Sequence, residues 1–143
     1  MIKIRKAEIG DYFSISELSL KGLGYEYSIE KTKEKLSCIL NDNMQAVFVA
    51  VCDSSVVGYI HLENYDVLYA DNYKNIMGIA VFSEYRRMGV GRALLQAAEK
   101  WAKANGAVGL RLCSGEEREA AHKFYIACGY TETKLQKNFK KLF

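Results

Sequence analysis

Apolar positions along this chain recur with two different periods, and the changes of period delimit its elements. Ile2–Lys3–Ile4–Arg5 alternates as a strand does. Asp11 is the N-cap candidate for a helix carrying Phe13, Ile15, Leu18 and Leu20, and Gly22–Leu23–Gly24 ends it. Ser28 caps a second helix with Ile29, Leu36, Ile39 and Leu40, stopped by Asn41–Asp42–Asn43. Between the two helices, Tyr25 and Tyr27 offer aromatic rings either to a pocket or to helix packing. Residues 46–51 and 56–62 flank Asp53–Ser54–Ser55 and read as a β-hairpin. Residues 63–75 are polar and aromatic, and read as a loop or hairpin.

An apolar strand over 76–82 comes next. Beyond it, Leu94, Ala97, Ala98, Trp101 and Ala102 share one helix face, with a stop at Asn105–Gly106. Residues 108–112 form another strand. Strand, helix, strand is a βαβ unit, so the strands at 76–82 and 108–112 should be parallel, with a right-handed crossover. Residues 117–128 give a helix with Ala121, Phe124, Tyr125 and Cys128 on one face, stopped by Gly129. The tail, 130–143, reads as one closing strand or two. The order β-α-α-β-β-β-α-β-α-β is that of an α/β (α+β) fold.

Composition narrows the class. With 143 residues, 50% hydrophobic and 26% charged, the expectation is one domain over 1–143. A formal charge of +3 makes no demand for nucleic acid. There is no signal-peptide core and no run of membrane-spanning length, so the expected setting is the cytoplasm, away from membranes, as monomer or homodimer. Cys38, Cys52, Cys113 and Cys128 are scattered without a C-x-x-C pair, which argues for free thiols and no metal.

The candidate chemistry lies between the strand at 76–82 and the helix after it. Arg86, Arg87 and Arg92 surround Gly89 and Gly91, so backbone N–H groups can approach a ligand with no Cβ between. The first N–H groups of a helix lack intrahelical partners, and the macrodipole adds roughly half a positive charge there. A phosphate or pyrophosphate fits such a cradle. A Walker loop would need Gly-Lys-Ser/Thr, but Gly91 precedes Arg92–Ala93; a dinucleotide fingerprint would need glycine where Leu94 stands. A nucleic-acid patch would need a wider basic stripe, and a plain structural turn is the remaining alternative.

Arg86-x-x-Gly89-x-Gly91 after Ile79–Ala80–Val81, followed by Ala121-x-x-Phe124–Tyr125-x-x-x-Gly129–Tyr130, resembles the two principal motifs of the GNAT N-acetyltransferase superfamily, in its single-domain bacterial type. The resemblance covers essentially the whole chain. It implies a central mixed, mostly antiparallel sheet of about six or seven strands, a β-α-β acetyl-CoA-binding core and about four helices. It also implies acetyl-CoA as co-substrate, in a wedge where the strand at 76–82 parts from that at 108–112. The pantetheine arm would follow Ile79, Ala80 and Val81, and the pyrophosphate would meet the turn of Arg86, Arg87, Met88, Gly89, Val90, Gly91 and Arg92. Arg118 stands where the family often has an asparagine that contacts the cofactor, and Ser83 where it often has proline.

The implied reaction is direct acetyl transfer to a primary amine in a ternary complex, without metal. At pH 7 a lysine-like amine of pKa about 10.4 lies about 3.4 units from its free base, roughly 4.6 kcal/mol, so a base or water chain must take the proton. The strand position that often carries a glutamate in the family is Asn75, which makes Glu63 the first candidate, with Asp66, Asp71 and His61 behind it. His122 reads as structural. Tyr125 is the expected general acid toward the leaving thiolate. Cys113 invites an acyl-cysteine route, which the family mechanism disfavours. The acceptor is open between a small amine, an aminoglycoside, a polyamine and a protein amine; the acidic, aromatic residues 63–73 fit a cationic one. The alternative of another class is a non-catalytic acyl-CoA-binding sensor or regulatory module.

Overall fold

The sheet begins with β1 (Ile2–Lys6), which lies antiparallel to β2 (Gln45–Cys52) in the computed structural model, where all residues 1–143 are described. β3 (Ser55–Tyr65) returns alongside β2 through a tight turn in which Asp53 and Ser54 both take positive φ, 48° and 68°. Two consecutive left-handed residues match the right-handed twist of the flanking strands. β4 (Tyr73–Val81) is antiparallel to β3, and β5 (Gly109–Arg111) lies parallel to β4, giving the order β1-β2-β3-β4-β5. The parallel pairing of the βαβ unit is as the sequence predicts.

Helices cover both faces. α1 (Tyr12–Leu23) and α2 (Ile29–Leu40) pack Ile15, Leu18 and Leu36 against Val47, Val49, Tyr59 and Ala80. Ser28 caps α2 by accepting the Lys31 N–H at 3.2 Å. Gly22 lies inside α1, two residues before the left-handed Gly24 that ends it, because the helix there rests on β4: a Cβ at Gly22 would come within 2.9 Å of Ala80 Cβ. α3 (Val90–Ala104) takes the other face with Val90, Leu94, Leu95, Ala98 and Ala102 buried, toward the side of β3 that carries Ile60 and Leu62.

Three expectations change. Residues 63–65 and 73–75 belong to strands, so the loop shrinks to 66–72. Lys74, only 5% exposed, fastens that end of the sheet: its ammonium donates to Asn64 Oδ1 at 2.8 Å and Asn72 Oδ1 at 2.9 Å, and lies 5.7 Å from the Trp101 ring centre. The sheet has five strands, fewer than the resemblance implies. The tail 130–143 forms none, since Leu135, Phe139 and Leu142 recur at four and three residues, not two, and all three are exposed. Contacts divide the chain into two compact units, Met1–Leu112, which holds the whole sheet, and Cys113–Phe143, which holds α4 (Glu119–Ala127) and the tail.

Asp11 precedes α1 without capping it through its side chain. The buried carboxylate instead accepts two Arg5 guanidinium hydrogen bonds, at 2.8 and 3.0 Å, and the Glu8 N–H at 2.8 Å. Burial alone would raise its pKa, but Arg5 and the Glu8 N–H outweigh burial and hold it below the ordinary value. A lowered folded-state pKa gives stability that is complete above the ordinary carboxylate range and is lost as pH falls through the depressed value. Asp11→Asn should therefore cost about 1–3 kcal/mol at pH 7, with the difference from wild type closing below about pH 4. Urea unfolding at pH 7 and at pH 3 measures both, and an equal deficit at the two pH values contradicts the assignment.

Candidate active site

β4 and β5 pair over only three positions, Tyr73 with Gly109, Lys74 with Leu110 and Asn75 with Arg111. Beyond Asn75, β4 is paired on its β3 side alone. The register between β3 and β4 also shifts there: His61 faces Gly78 and Leu62 faces Ile76, which leaves Met77 as an extra, half-exposed residue. A bulge of this kind bends the strand and raises its twist, turning it away from its former neighbour. Ile79, Ala80 and Val81 thus lie on an edge whose N–H and C=O groups can receive an extended ligand.

That edge leads into the arginine turn. Arg87 and Gly89 take left-handed φ values of 64° and 80°, and α3 starts directly after Gly89. Gly89 contributes no capping side chain, and the first intrahelical bond runs from Ala93 N–H to Gly89 C=O at 3.0 Å. The N–H groups of Val90, Gly91 and Arg92 therefore lack intrahelical partners. A Cβ at Gly89 would meet no atom within 4 Å, so the space before the helix end is open. Arg86, Arg87, Met88 and Arg92 are exposed around it, Gly91 is half-buried, and Val90 is 1% exposed.

Val90 fixes where the helix begins. A Cβ on Gly58 of β3 would come within 3.2 Å of Val90 Cγ1, 3.2 Å of Leu94 Cδ1 and 3.0 Å of the Ala80 carbonyl oxygen. The close approach at Gly58 seats the first turn of α3 against the same part of the sheet as the open edge. Unpaired N–H groups, a positive helix end and an unpaired strand edge meet the requirements for a long ligand with a phosphate at one end.

The candidate base lies on the opposite face, shared with Tyr59. Glu63 is half-buried on β3, across from Asn75 on β4 and Gln45 on β2. Asn75 accepts Arg111 Nη1 at 2.7 Å and donates to Met77 Sδ at 3.0 Å, while the Arg111 guanidinium lies 4.1 Å from the Tyr65 ring centre. His61 Nε2 is 2.7 Å from Gln45 Oε1, and burial lowers its pKa, which keeps it neutral near pH 7. Asp66 and Asp71 are exposed in the turn between β3 and β4. An open cleft of about 290 Å³ between α1 and α2 is lined by Ser16, Ser19, Tyr25, Tyr27, Thr32 and Lys35. Ser19 of this lining also bonds the buried Tyr59 of β3, forty positions away, and no local pattern signals the pair.

In the second unit, Tyr125 is half-buried on α4, its ring 5.4 Å from Phe124 and 6.1 Å from Tyr130. Burial raises its pKa, and the Arg118 charge lowers it by less. The phenol thus holds its proton at neutral pH and can act as a donor. Arg118 precedes the first residue of α4, and its carbonyl accepts the His122 N–H at 3.1 Å. His122 Nε2 lies 2.9 Å from the Gly115 carbonyl oxygen, which fits a structural role. Cys113 is exposed, with Sγ 3.7 Å from Gln136 Oε1. No group of three or more His, Cys, Asp or Glu is placed to hold a metal, and no helix is long and apolar enough to cross a membrane.

Comparison with known proteins adds four relations. A profile of the Acetyltransferase (GNAT) family matches residues 11–130. Streptothricin acetyltransferase A of Bacillus subtilis is 33% identical, over 66% of this chain and 55% of its own length. Aminoglycoside N(6')-acetyltransferase type 1 of Klebsiella aerogenes is 31% identical, over 67% of this chain and 66% of its own. The chain therefore spans just over half of the first relative and just under two thirds of the second. In fold, it matches an aminoglycoside N-acetyltransferase solved with a CoA-based bisubstrate analogue, at a TM-score of 0.89 and 20% identity, covering 100% of this chain and 99% of that one.

Valine at Gly89 would have to adopt a left-handed φ, at a cost of about 1–2 kcal/mol, which a stable fold tolerates. Its side chain would project into the open space before the helix end. Gly89→Val should leave the protein folded and weaken binding of acetyl-CoA, the ligand implied by the motifs, at least about 100-fold, the loss of two charge-assisted hydrogen bonds. Titration calorimetry reads this directly. Unchanged affinity in the folded variant returns the turn to a purely structural role.

Proposed function

Because the chain belongs to the GNAT acetyltransferase family, we propose that it is an acetyl-CoA-dependent N-acetyltransferase that acts on a primary amine by direct transfer. The whole chain, 1–143, works in this reading as one catalytic domain. The observation that carries it is the open β4 edge beside the uncapped start of α3, since few ligands other than a CoA thioester need both. Four cysteines outside any disulfide fit a cytoplasmic setting.

Acetyl-CoA, when bound, supplies a thioester: a C–N bond forms to the acceptor, the C–S bond breaks, and the ammonium loses one proton to solvent and one to the thiolate. The chain's residues orient these partners and move the protons. The N–H groups of Val90, Gly91 and Arg92 would hold the pyrophosphate, with Arg86, Arg87 and Arg92 neutralising it and Met88 covering one side. Ile79, Ala80 and Val81 would pair with the pantetheine amides, and Arg118 would grip a phosphate. Glu63 would take the acceptor's proton through a chain of waters.

Tyr125 would donate to the departing thiolate. With an unperturbed phenol near pKa 10 and a thiol near 8.5, full transfer is uphill by about 1.5 units, roughly 2 kcal/mol. Burial adds to that gap, but a hydrogen bond short of full transfer already stabilises the developing charge. Tyr125→Phe keeps the ring and removes only the donor. It should lower kcat about ten- to a thousandfold, with acetyl-CoA affinity nearly unchanged. The assay is release of CoA thiol in the presence of a panel of amines. A wild-type rate in the variant, with chemistry rate-limiting, reduces Tyr125 to packing. Binding of acetyl-CoA without thiol release from any amine favours a non-catalytic CoA-binding module. Glu63→Gln with an unaltered pH–rate profile removes Glu63 as the base.

A further inference from the structure

The cleft between α1 and α2 carries a charge and hydrogen-bonding character that selects among amines. Its lining comprises three aliphatic hydroxyls, of Ser16, Ser19 and Thr32, two phenol rings, of Tyr25 and Tyr27, and one charge, that of Lys35. No carboxylate lines it, and Glu26, Glu30 and Glu34 on the same elements are exposed outside the lining.

Behind the lining, at Ser19, the direction of donation is fixed. Ser19 Oγ donates its only proton to the Ile15 carbonyl at 2.9 Å. The 2.8 Å bond between Ser19 Oγ and Tyr59 Oη must then be donated by Tyr59. Tyr59, 7% exposed, is left with an oxygen that can only accept, and an N–H is its natural partner. Thr32 Oγ1 likewise donates to the Ser28 carbonyl at 2.9 Å and keeps only acceptor capacity. Tyr59 stands across from Ala80, and a Cβ on Gly78 would lie 3.8 Å from Tyr59 Oη. The accepting oxygen therefore lies beside the part of β4 whose outer edge is unpaired.

We propose that this cleft binds the acceptor, and that the acceptor is an amino-carboxylate: a small primary amine with an apolar or aromatic body and one carboxylate, such as a free amino acid. Its amine rests on Tyr59, its body on Tyr25 and Tyr27, and its carboxylate faces Lys35. This inference rests on the acetyltransferase reading and narrows it. The products are an N-acetyl amino-carboxylate, free CoA thiol and one proton. A polyamino sugar would bring several ammonium groups against Lys35 with no carboxylate to receive them, so it is selected against.

The test follows CoA thiol release by the full chain with acetyl-CoA and free amino acids, their matched C-terminal amides, and the amino sugar kanamycin. At least one amino acid should be acetylated, with kcat/KM about two- to fivefold above its amide, the range one exposed charge pair supplies. Lys35→Glu should abolish that preference through KM. Tyr59→Phe should lower kcat about tenfold without moving the KM for acetyl-CoA. Kanamycin or the amides turning over as well as the acids, or a preference that survives Lys35→Glu, overturns the substrate class and leaves the acetyltransferase reading intact. Binding of acetyl-CoA with no thiol release from any acceptor overturns both.

Discussion

Beyond Asn75, β4 has lost its outer neighbour, and the rest of the molecule is arranged around that unsatisfied edge. Backbone N–H and C=O groups need partners, and an edge strand inside a sheet protein must be covered, twisted away or put to use. Here β5 contributes three paired residues and stops, and the bulge at Met77 turns the freed strand. The helices are set by the same strand. α1 reaches Ala80 through Gly22, and α3 begins where Gly58 lets Val90 and Leu94 come close to β3. The open edge, the helix end and the α1–α2 cleft are thus three consequences of how closely backbone can approach β3 and β4.

Charge divides the site into regions with different demands. At the start of α3, unpartnered N–H groups, the helix dipole and three arginines all favour a phosphate. Around Tyr59 the environment is buried and neutral: Tyr59 keeps its proton because burial raises its pKa, and His61 stays uncharged for the same reason. An uncharged surrounding favours a free amine over an ammonium, which is the form that attacks a carbonyl. The net charge of +3 predicts neither arrangement, because it says nothing of where the charges lie.

Local chemistry was legible in the sequence, and long-range chemistry was not. The Ser28 cap, the Asp53–Ser54 turn, the buried face of α3 and the parallel βαβ pairing follow from patterns within one element or between adjacent ones. The glycine–arginine turn was visible because its function requires particular residue types in a row. The ends of β3 and β4 were hidden, since polar and aromatic residues there are held by Lys74 between Asn64 and Asn72, a burial that no periodicity reports. Asp11 looked like a cap and became a partner of Arg5, because its carboxylate gains more from a guanidinium than from one helix N–H. The Met77 bulge and the Ser19–Tyr59 bond have no sequence signal at all. Tyr125 was picked out by its motif, and its perturbed phenol emerges only from the packing of α4.

Residue-resolved amide hydrogen exchange, with and without acetyl-CoA, tests the central claim most directly, because it reads the backbone groups said to be unpaired. Pairing of a ligand with the β4 edge and the helix start should slow exchange at residues 78–81 and 87–92, while β1 and β2 exchange as before. Protection that leaves both stretches unchanged, or appears only elsewhere, would contradict the account.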